Sequence, residues 1–424
     1  MSKNNENKNL DSNTFEEAET KKHQVNARIR HAQDAVQKPV RKPSTKKKKA
    51  SLVAKSPAAS PRKKQLKGTS PRGKTASKEK EQKIKTITET EEEEVSERRY
   101  VKFIDQIVFI ENSISLNMYY LTHLLNLAKS AESFEAFTRN TNKNRNPDVC
   151  CIDKTRVKLM DPSIEYYIHA NHIRFAQLNR TYIATQHPLP NTLNDFWAMI
   201  ADQKVESIVS LTHSMNSQES FPIFYPNKTD TVRNFGQFFV RCRTVIPPKT
   251  KYGCTEYRLE LVIQREKEER FNVRIYHYQY WIKNTVPASP KVILNIVRKL
   301  GRKRNQGPIV VQCETGVNQS AEVIYVDAMC SLLSINMDAN FDTIFRQLRK
   351  QKAESMTQRL HFLHSIFTVL EFVKSRFKLP GAILSQIESI QFAISKDFRY
   401  NSSSEPQDEL RSPTIDELLD NERN

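Results

Sequence analysis

The stretch PIVVQCETGVNQSAEVIYVD, Pro308 to Asp327, decides how this chain folds. Ile309 to Gln312 has the short apolar run of a buried strand. The residues after Cys313 form a brief loop and then a segment apolar nearly all round, long enough for a central buried helix. A cysteine between a strand and a helix N-terminus sits where backbone N–H groups and the helix dipole stabilise a thiolate and a bound anion. The setting is that of a catalytic cysteine. The loop, however, carries Glu314 and offers no arginine or lysine.

Outward from this stretch, the pattern from about Tyr100 to Leu379 is that of a mixed α/β domain. EYRLELVIQ alternates Leu259, Leu261 and Ile263 with polar neighbours, REKEER makes a polar turn, and FNVRIYHYQYW alternates Phe271, Val273 and Ile275. The three together predict a β-hairpin. VESIVSLTH supplies another buried strand around Ile208 and Val209. Helical spacing appears at Val292, Ile296 and Leu300, and at Phe341, Ile344, Phe345 and Leu348. It recurs at Leu360, Leu363, Phe367 and Leu370, which are expected to share one face.

Three further segments, KNRNPDVCCIDKTRVKL from Lys143, YYIHANHI from Tyr166 and TYIATQHPLPNTLNDFWAMI from Thr181, complete a recognisable order. The chain resembles the protein tyrosine phosphatase family, whose members carry a KNRY loop, a YINA strand and a YIATQGPLPxTxxDFW segment in this succession. The likeness covers roughly Tyr100 to Leu379. It implies an α/β fold: a single phosphatase-like domain at 98–380 with a twisted mixed sheet flanked by helices. Residues 1–97 are then a disordered basic tail and residues 381–424 a mostly disordered C-terminal tail.

The family's nucleophile loop reads HCxxGxxR followed by Ser or Thr. Matched to it, Cys313 is the nucleophile, Gly316 and Ser320 are kept, and Gln319 stands at the phosphate-gripping arginine. A neutral amide cannot supply that charge, and losing one transition-state donor costs on the order of 10²- to 10³-fold. Glu314 adds negative charge beside the place of a phosphate dianion, which works against both thiolate and ligand. In the family's Trp-Pro-Asp loop the matching residues are Trp281, Ile282 and Lys283, so an ammonium replaces the general acid, at a cost of roughly 10²- to 10⁴-fold. Asn146 stands where a tyrosine stacks on the substrate ring, and Asn216 where an acid orients the loop arginine. Thr357 and His361 fall on glutamines of which one positions the hydrolytic water, with Gln358 one place off.

Taken together, the matches imply a catalytically impaired member, a pseudophosphatase with Cys313 as a vestigial nucleophile. It would act as a binding or scaffold module in phosphotyrosine signalling, with a protein partner such as a kinase or a phosphotyrosine protein. Cys313 reads equally as a small residue kept because it packs. Two alternatives stay open. One is a weakly active phosphatase that still uses Cys313; the other is a nucleic-acid or chromatin-associated protein that works through its basic tail. The direction of Glu314 separates further cases: turned into the anion site it excludes phosphate, turned to solvent it leaves the loop amides free.

The tail reading rests on charge. The 424 residues carry a formal net charge of +19, and Lys38 to Lys80 holds sixteen Lys or Arg against one acid, Glu79. Such a stretch buries too little apolar surface to offset its ordering entropy, and clustered lysines bind nucleic acid or an anionic surface by counterion release. Ser56, Ser60 and Ser70 precede prolines, so phosphorylation there would lower the charge. Near the end, Ile415, Leu418 and Leu419 could form one apolar face of a short helix. The six cysteines show no metal or disulfide spacing and no signal peptide is visible, which implies an intracellular setting, cytoplasmic or nuclear. No run of eighteen apolar residues exists, and eight glycines are few for a glycine-rich phosphate loop. No cofactor or metal is expected.

Overall fold

Tyr100, Phe103, Ile104, Ile107 and Ile110 recur at three- and four-residue steps, and residues 100–114 form a helix, α1, that buries all five. The computed structural model describes residues 100–127, 132–160, 167–212, 221–264, 268–301, 307–335 and 337–402. The basic stretch 38–80, the three Ser-Pro sites, Asn216 and the apolar trio Ile415, Leu418 and Leu419 lie outside these residues.

After α1, the main elements follow as β1 (Ala170–Arg174), β2 (Thr181–Gln186), α2 (Leu193–Asp202), β3 (Ser207–Ser210), β4 (Val232–Phe235) and β5 (Phe238–Ile246). Then come β6 (Thr255–Ile263), β7 (Glu269–His277), α3 (Lys291–Gly301), β8 (Ile309–Cys313) and α4 (Gln319–Ser334). The described chain closes with α5 (Phe341–Gln351), α6 (Arg359–Arg376) and α7 (Gly381–Ser402). The strands form one mixed eight-stranded sheet in the order β1-β2-β8-β3-β7-β6-β5-β4. β8 lies parallel to both β2 and β3, and β3 is parallel to β7; the remaining pairs are antiparallel.

The predicted hairpin is β6–β7, with Leu259 opposite Val273 and Leu261 opposite Phe271. Its alternation arises because one face packs on α2: Phe196, Trp197, Met199 and Ile200 share a core with Val240, Leu259, Leu261, Ile263, Val273 and Ile275. The expected strand around Ile208 and Val209 is β3. β8 is buried at all five residues because both its edges are paired and both its faces are covered. The polar exception, Gln312, donates from Nε2 to Ser210 Oγ at 2.6 Å and Thr212 Oγ1 at 3.2 Å. On the other face α4 is the central helix, buried from Gln319 through Cys330, with α3, α5 and α6 packed around it.

Two details differ from the periodicity. On α6, Leu363 and Leu370 are buried but Leu360 and Phe367 are only partly so, while His361, His364, Ser365 and Thr368 are buried as well. α6 is packed between α4 and α7, so its covered surface wraps further round than one stripe. The second difference is α7 itself. The segment from 381, read as the start of a mostly disordered tail, forms a helix over Gly381–Ser402 that buries Ile387, Ile390 and Ile394. Its few and widely spaced large residues among Ser and Gln hid this face, which needs α6 as a partner to form.

Candidate functional site

Residues 314–318 join the end of β8 to the start of α4. Gly316 takes φ +77, and a Cβ there would meet the Thr185 carbonyl carbon and oxygen and Gln186 N at 2.6 to 2.8 Å. The loop thus lies directly on the end of β2, where only glycine fits. Just beyond β2, His187 N donates to the carbonyls of Cys313 at 2.8 Å and Glu314 at 3.1 Å. On the far side Met356 N donates to Val317 O at 2.7 Å, and Thr357 Oγ1 to Asn318 Oδ1 at 3.3 Å.

Cys313 is 2% exposed. Gly316 N donates to its sulfur at 3.3 Å, and the sulfur lies 3.4 Å from Ser320 Oγ. Cys313, Gly316 and Ser320 are therefore one cluster. Gln319, also buried, donates from Nε2 to the carbonyl oxygens of Trp281 at 3.3 Å and Ile282 at 3.4 Å. Its amide is spent on the backbone of the 281–285 segment.

That segment has its own anchors. Trp281 is buried and donates from Nε1 to Thr285 O at 2.8 Å, closing a tight turn with Asn284 at φ 61. Lys283 Nζ donates to Glu314 Oε1 at 2.7 Å, with the lysine 57% and the glutamate 18% exposed. Glu314 thus takes neither direction left open by sequence: it is paired across the loop with Lys283. Gln358 Nε2, one residue before α6, donates to Asn284 Oδ1 at 2.5 Å. Glu314, Gln319 and Gln358 thus tie the segment to the loop, to the start of α4 and to the residue before α6.

Asn146 is turned to its own loop, its Oδ1 accepting from Asp148 N at 2.7 Å. Next to it, Arg145 donates from its backbone N to Gln186 Oε1, and its guanidinium donates to the carbonyls of His187 and Pro188. This brings the 145–146 loop to the same end of β2 as the Cys313 loop. Of the residues singled out from sequence and described, Cys313, Glu314, Gly316, Gln319, Ser320, Lys283, Thr357 and His361 meet around the head of α4. Asn146 sits in the loop that Arg145 anchors at the end of β2.

Three features escaped the sequence reading. Glu322, in the first turn of α4, is fully buried and accepts from His361 Nδ1 and His364 Nδ1, each at 2.5 Å. Burial pushes its pKa up to about 7, against the pull of the His361 hydrogen bond and charge. Burial pulls His364 down to about 3. The signal was present as a carboxylate in an apolar segment and two histidines one turn apart on α6. His187 is the second: it is held down to about 4 by burial first, and its ring nitrogens face Thr212 Oγ1 and the Pro222 carbonyl. The third is Lys352, wholly buried, which donates to Asn171 Oδ1 at 3.0 Å. Burial lowers its pKa, and the thiols of Cys151, Cys313 and Cys150 work against that shift. Among the described residues no group of three His, Cys, Asp or Glu side chains is arranged to hold a metal, and no helix is long and apolar enough to cross a membrane.

Known proteins place this geometry. A family model described as protein-tyrosine phosphatase matches residues 140–371. Tyrosine-protein phosphatase 1 of Caenorhabditis elegans is 29% identical over 264 residues, which cover 57% of this chain and 25% of that protein. Tyrosine-protein phosphatase non-receptor type 2 of Rattus norvegicus is 30% identical over 222 residues, 51% of this chain and 52% of the relative. Human tyrosine-protein phosphatase non-receptor type 7 is 29% identical over 205 residues, 47% of this chain and 54% of the relative. The chain thus spans from a quarter to about half the length of these relatives.

Proposed function

Because the chain belongs to the protein-tyrosine phosphatase family, we propose that it is a binding or scaffold module in phosphotyrosine signalling whose own turnover of phosphotyrosine is impaired. The observation that carries this reading is how the groups around Cys313 are used. Gln319, matched by sequence to the family's phosphate-gripping arginine, gives its amide to the carbonyls of Trp281 and Ile282. Lys283, placed at the general acid, is engaged by Glu314 at 2.7 Å.

A phosphate dianion entering here meets a carboxylate on the loop and a cation already paired with it. To use Lys283 the ligand must outcompete Glu314, and the gain is small because the lysine is more than half exposed and screened. At pH 7 an ammonium is also a poor proton donor to a leaving phenolate. Removal of both the bidentate guanidinium and the acid costs several orders of magnitude, though such losses do not add simply. The frame that remains, with Gly316 N on the Cys313 sulfur, supports a retained surface for a protein partner more than a reaction. A kinase or a phosphotyrosine protein fits that role, in a cytoplasmic or nuclear setting.

Hydrolysis of a small aryl phosphate by the full chain, with Cys313→Ser as control, tests the proposal. The expected result is equal background rates for both. Turnover that Cys313→Ser abolishes overturns it and establishes a weakly active phosphatase, a reading favoured by the sulfur's preserved contacts with Gly316 N and Ser320 Oγ.

A further inference from the structure

Glu322, His361 and His364 join α4 to α6, and the two histidine rings reach the 281–285 segment and α7. Glu322 sits in the first turn of α4, three residues after Gln319. Each of its carboxylate oxygens is held by one imidazole of α6: Oε2 by His361 Nδ1 and Oε1 by His364 Nδ1. The His361 ring lies against Trp281, with centroids 6.0 Å apart, and the His364 ring against Phe398 of α7 at 5.9 Å. All three polar side chains are at most 3% exposed, and His364 Nε2 is buried with no hydrogen-bond partner. Because that nitrogen has no partner, His364 is a neutral Nδ1–H donor, and Glu322 is the cluster's proton acceptor.

We propose that Glu322, His361 and His364 form a proton-accepting cluster that couples protonation of the domain interior to the seating of residues 281–285 against α4 and α6. Other charged groups on the surrounding elements are engaged elsewhere: Asp327 of α4 pairs with Arg180, and Lys374 of α6 with Glu371 and with Glu388 of α7. Arg359, at the start of α6, donates to Asn117 Oδ1 and to Asp397 of α7. Lys283 and Glu314 pair with each other at the outer end of the segment. Tyr120, stacked on Phe362, donates its hydroxyl to Met356 O.

With a proton on Glu322, the cluster holds no uncompensated charge. Without it, a lone negative charge remains buried next to the His361 ring that packs on Trp281, which is costly. Opening of the segment lets water reach the carboxylate and returns it toward ordinary acidity. The seated form has the raised pKa, so seating is favoured at low pH and weakened as pH rises from the ordinary glutamate value toward about 7, then levels off. One proton of difference makes the opening equilibrium rise by up to about tenfold per pH unit in that window.

The chain contains two tryptophans, so the indole N–H signals of the full, ¹⁵N-labelled chain provide a probe and an internal reference. Trp281 donates to Thr285 O inside the segment, whereas Trp197 donates to Phe224 O in the opposite core. Between pH 5 and 8 the Trp281 signal is expected to titrate with a single midpoint near neutrality, and its solvent exchange to rise by up to about tenfold per unit beyond the intrinsic base-catalysed increase. Trp197 is expected to stay unchanged. Glu322→Gln is expected to remove the titration and His364→Gln to move its midpoint. A flat Trp281 signal in the wild-type chain, or a titration that survives in Glu322→Gln, overturns the proposal; if Glu322→Gln does not fold, an unmoved midpoint in His364→Gln does so. None of these readouts depends on catalytic activity, so their failure is distinct from that of the proposed function.

Discussion

Lowering the pH from 6.5 to 5 is expected to destabilise the domain steeply, for a reason visible in three buried histidines. Burial holds His169 at about 3, His187 at about 4 and His364 at about 3, so all three stay neutral in the fold where the unfolded chain protonates them near 6.5. These depressed values give stability that is present above about 6.5 and is lost as pH falls. Glu322 works the other way. Its folded value of about 7 lies above the ordinary 4.5, so the fold keeps a proton the unfolded chain has released between those values. Toward pH 5 the unfolded state therefore binds about three protons more and one fewer, a net uptake of about two that shrinks as the unfolded histidines release their protons toward pH 6.5. At about 1.4 kcal/mol per proton per unit, stability falls by about 2.7 kcal/mol per pH unit. Asp327, pushed up by burial despite Arg180, acts in the same direction as Glu322, and His172, pulled down by burial, in the same direction as the other histidines. The loss over the window is a large part of the 5–15 kcal/mol typical of a domain. Urea unfolding followed by far-UV circular dichroism at half-unit steps from pH 5 to 8 measures it. Stability is expected to level off above about pH 7, with the slope toward pH 5 halved in His187→Asn. A urea midpoint that does not change between pH 5 and 6.5 refutes the assignment of neutral buried histidines.

Two other outcomes follow from the loop. Gln319→Arg alone is expected to leave inorganic phosphate binding undetectable by calorimetry, because Glu314 offers the new guanidinium a carboxylate, while Gln319→Arg with Glu314→Ala gains at least about tenfold in affinity, in line with charge-assisted contacts of roughly 1.5 kcal/mol or more; equal affinity in the single and double variants contradicts this. Gly316→Ala is expected to lower stability by about 2–4 kcal/mol in urea unfolding, combining a left-handed backbone with a Cβ pressed on the Thr185 carbonyl; a loss under about 0.5 kcal/mol would mean the loop rests elsewhere.

Much of this architecture was legible because its signals are local. The β6–β7 alternation, the all-apolar run of β8 and the buried α4 each follow from the solvent exposure of their own residues. The likeness of the 143–197 segments to known motifs supplied the order of the elements. What local pattern could not supply were features made by two distant segments. α7 becomes a helix with a buried face only where α6 lies beneath it, so its isoleucines among serines read as tail. The Lys283–Glu314 pair spans 31 residues and the Glu322–His361 and Glu322–His364 bonds span 39 and 42. Each residue was visible, and Lys283, Glu314 and His361 were singled out, but each was weighed against an absent phosphate and not against the others. Glu322 was passed over because a single acid within an apolar helix gives no period of its own.

The position of β8 has a consequence for how the chain is made. Its two neighbours, β2 and β3, pair with Ile309 through Tyr182 and Ser207, more than a hundred residues earlier. Until Cys313 has left the ribosome, the edges of β2 and β3 that face each other across β8 have nothing between them, and the sheet cannot close. Parallel pairings of such long range form slowly and leave apolar edges exposed meanwhile. The Cys313 loop therefore cannot take its seat on β2 until β8 has joined its two neighbours, and its bond from Met356 N waits for residues made later still.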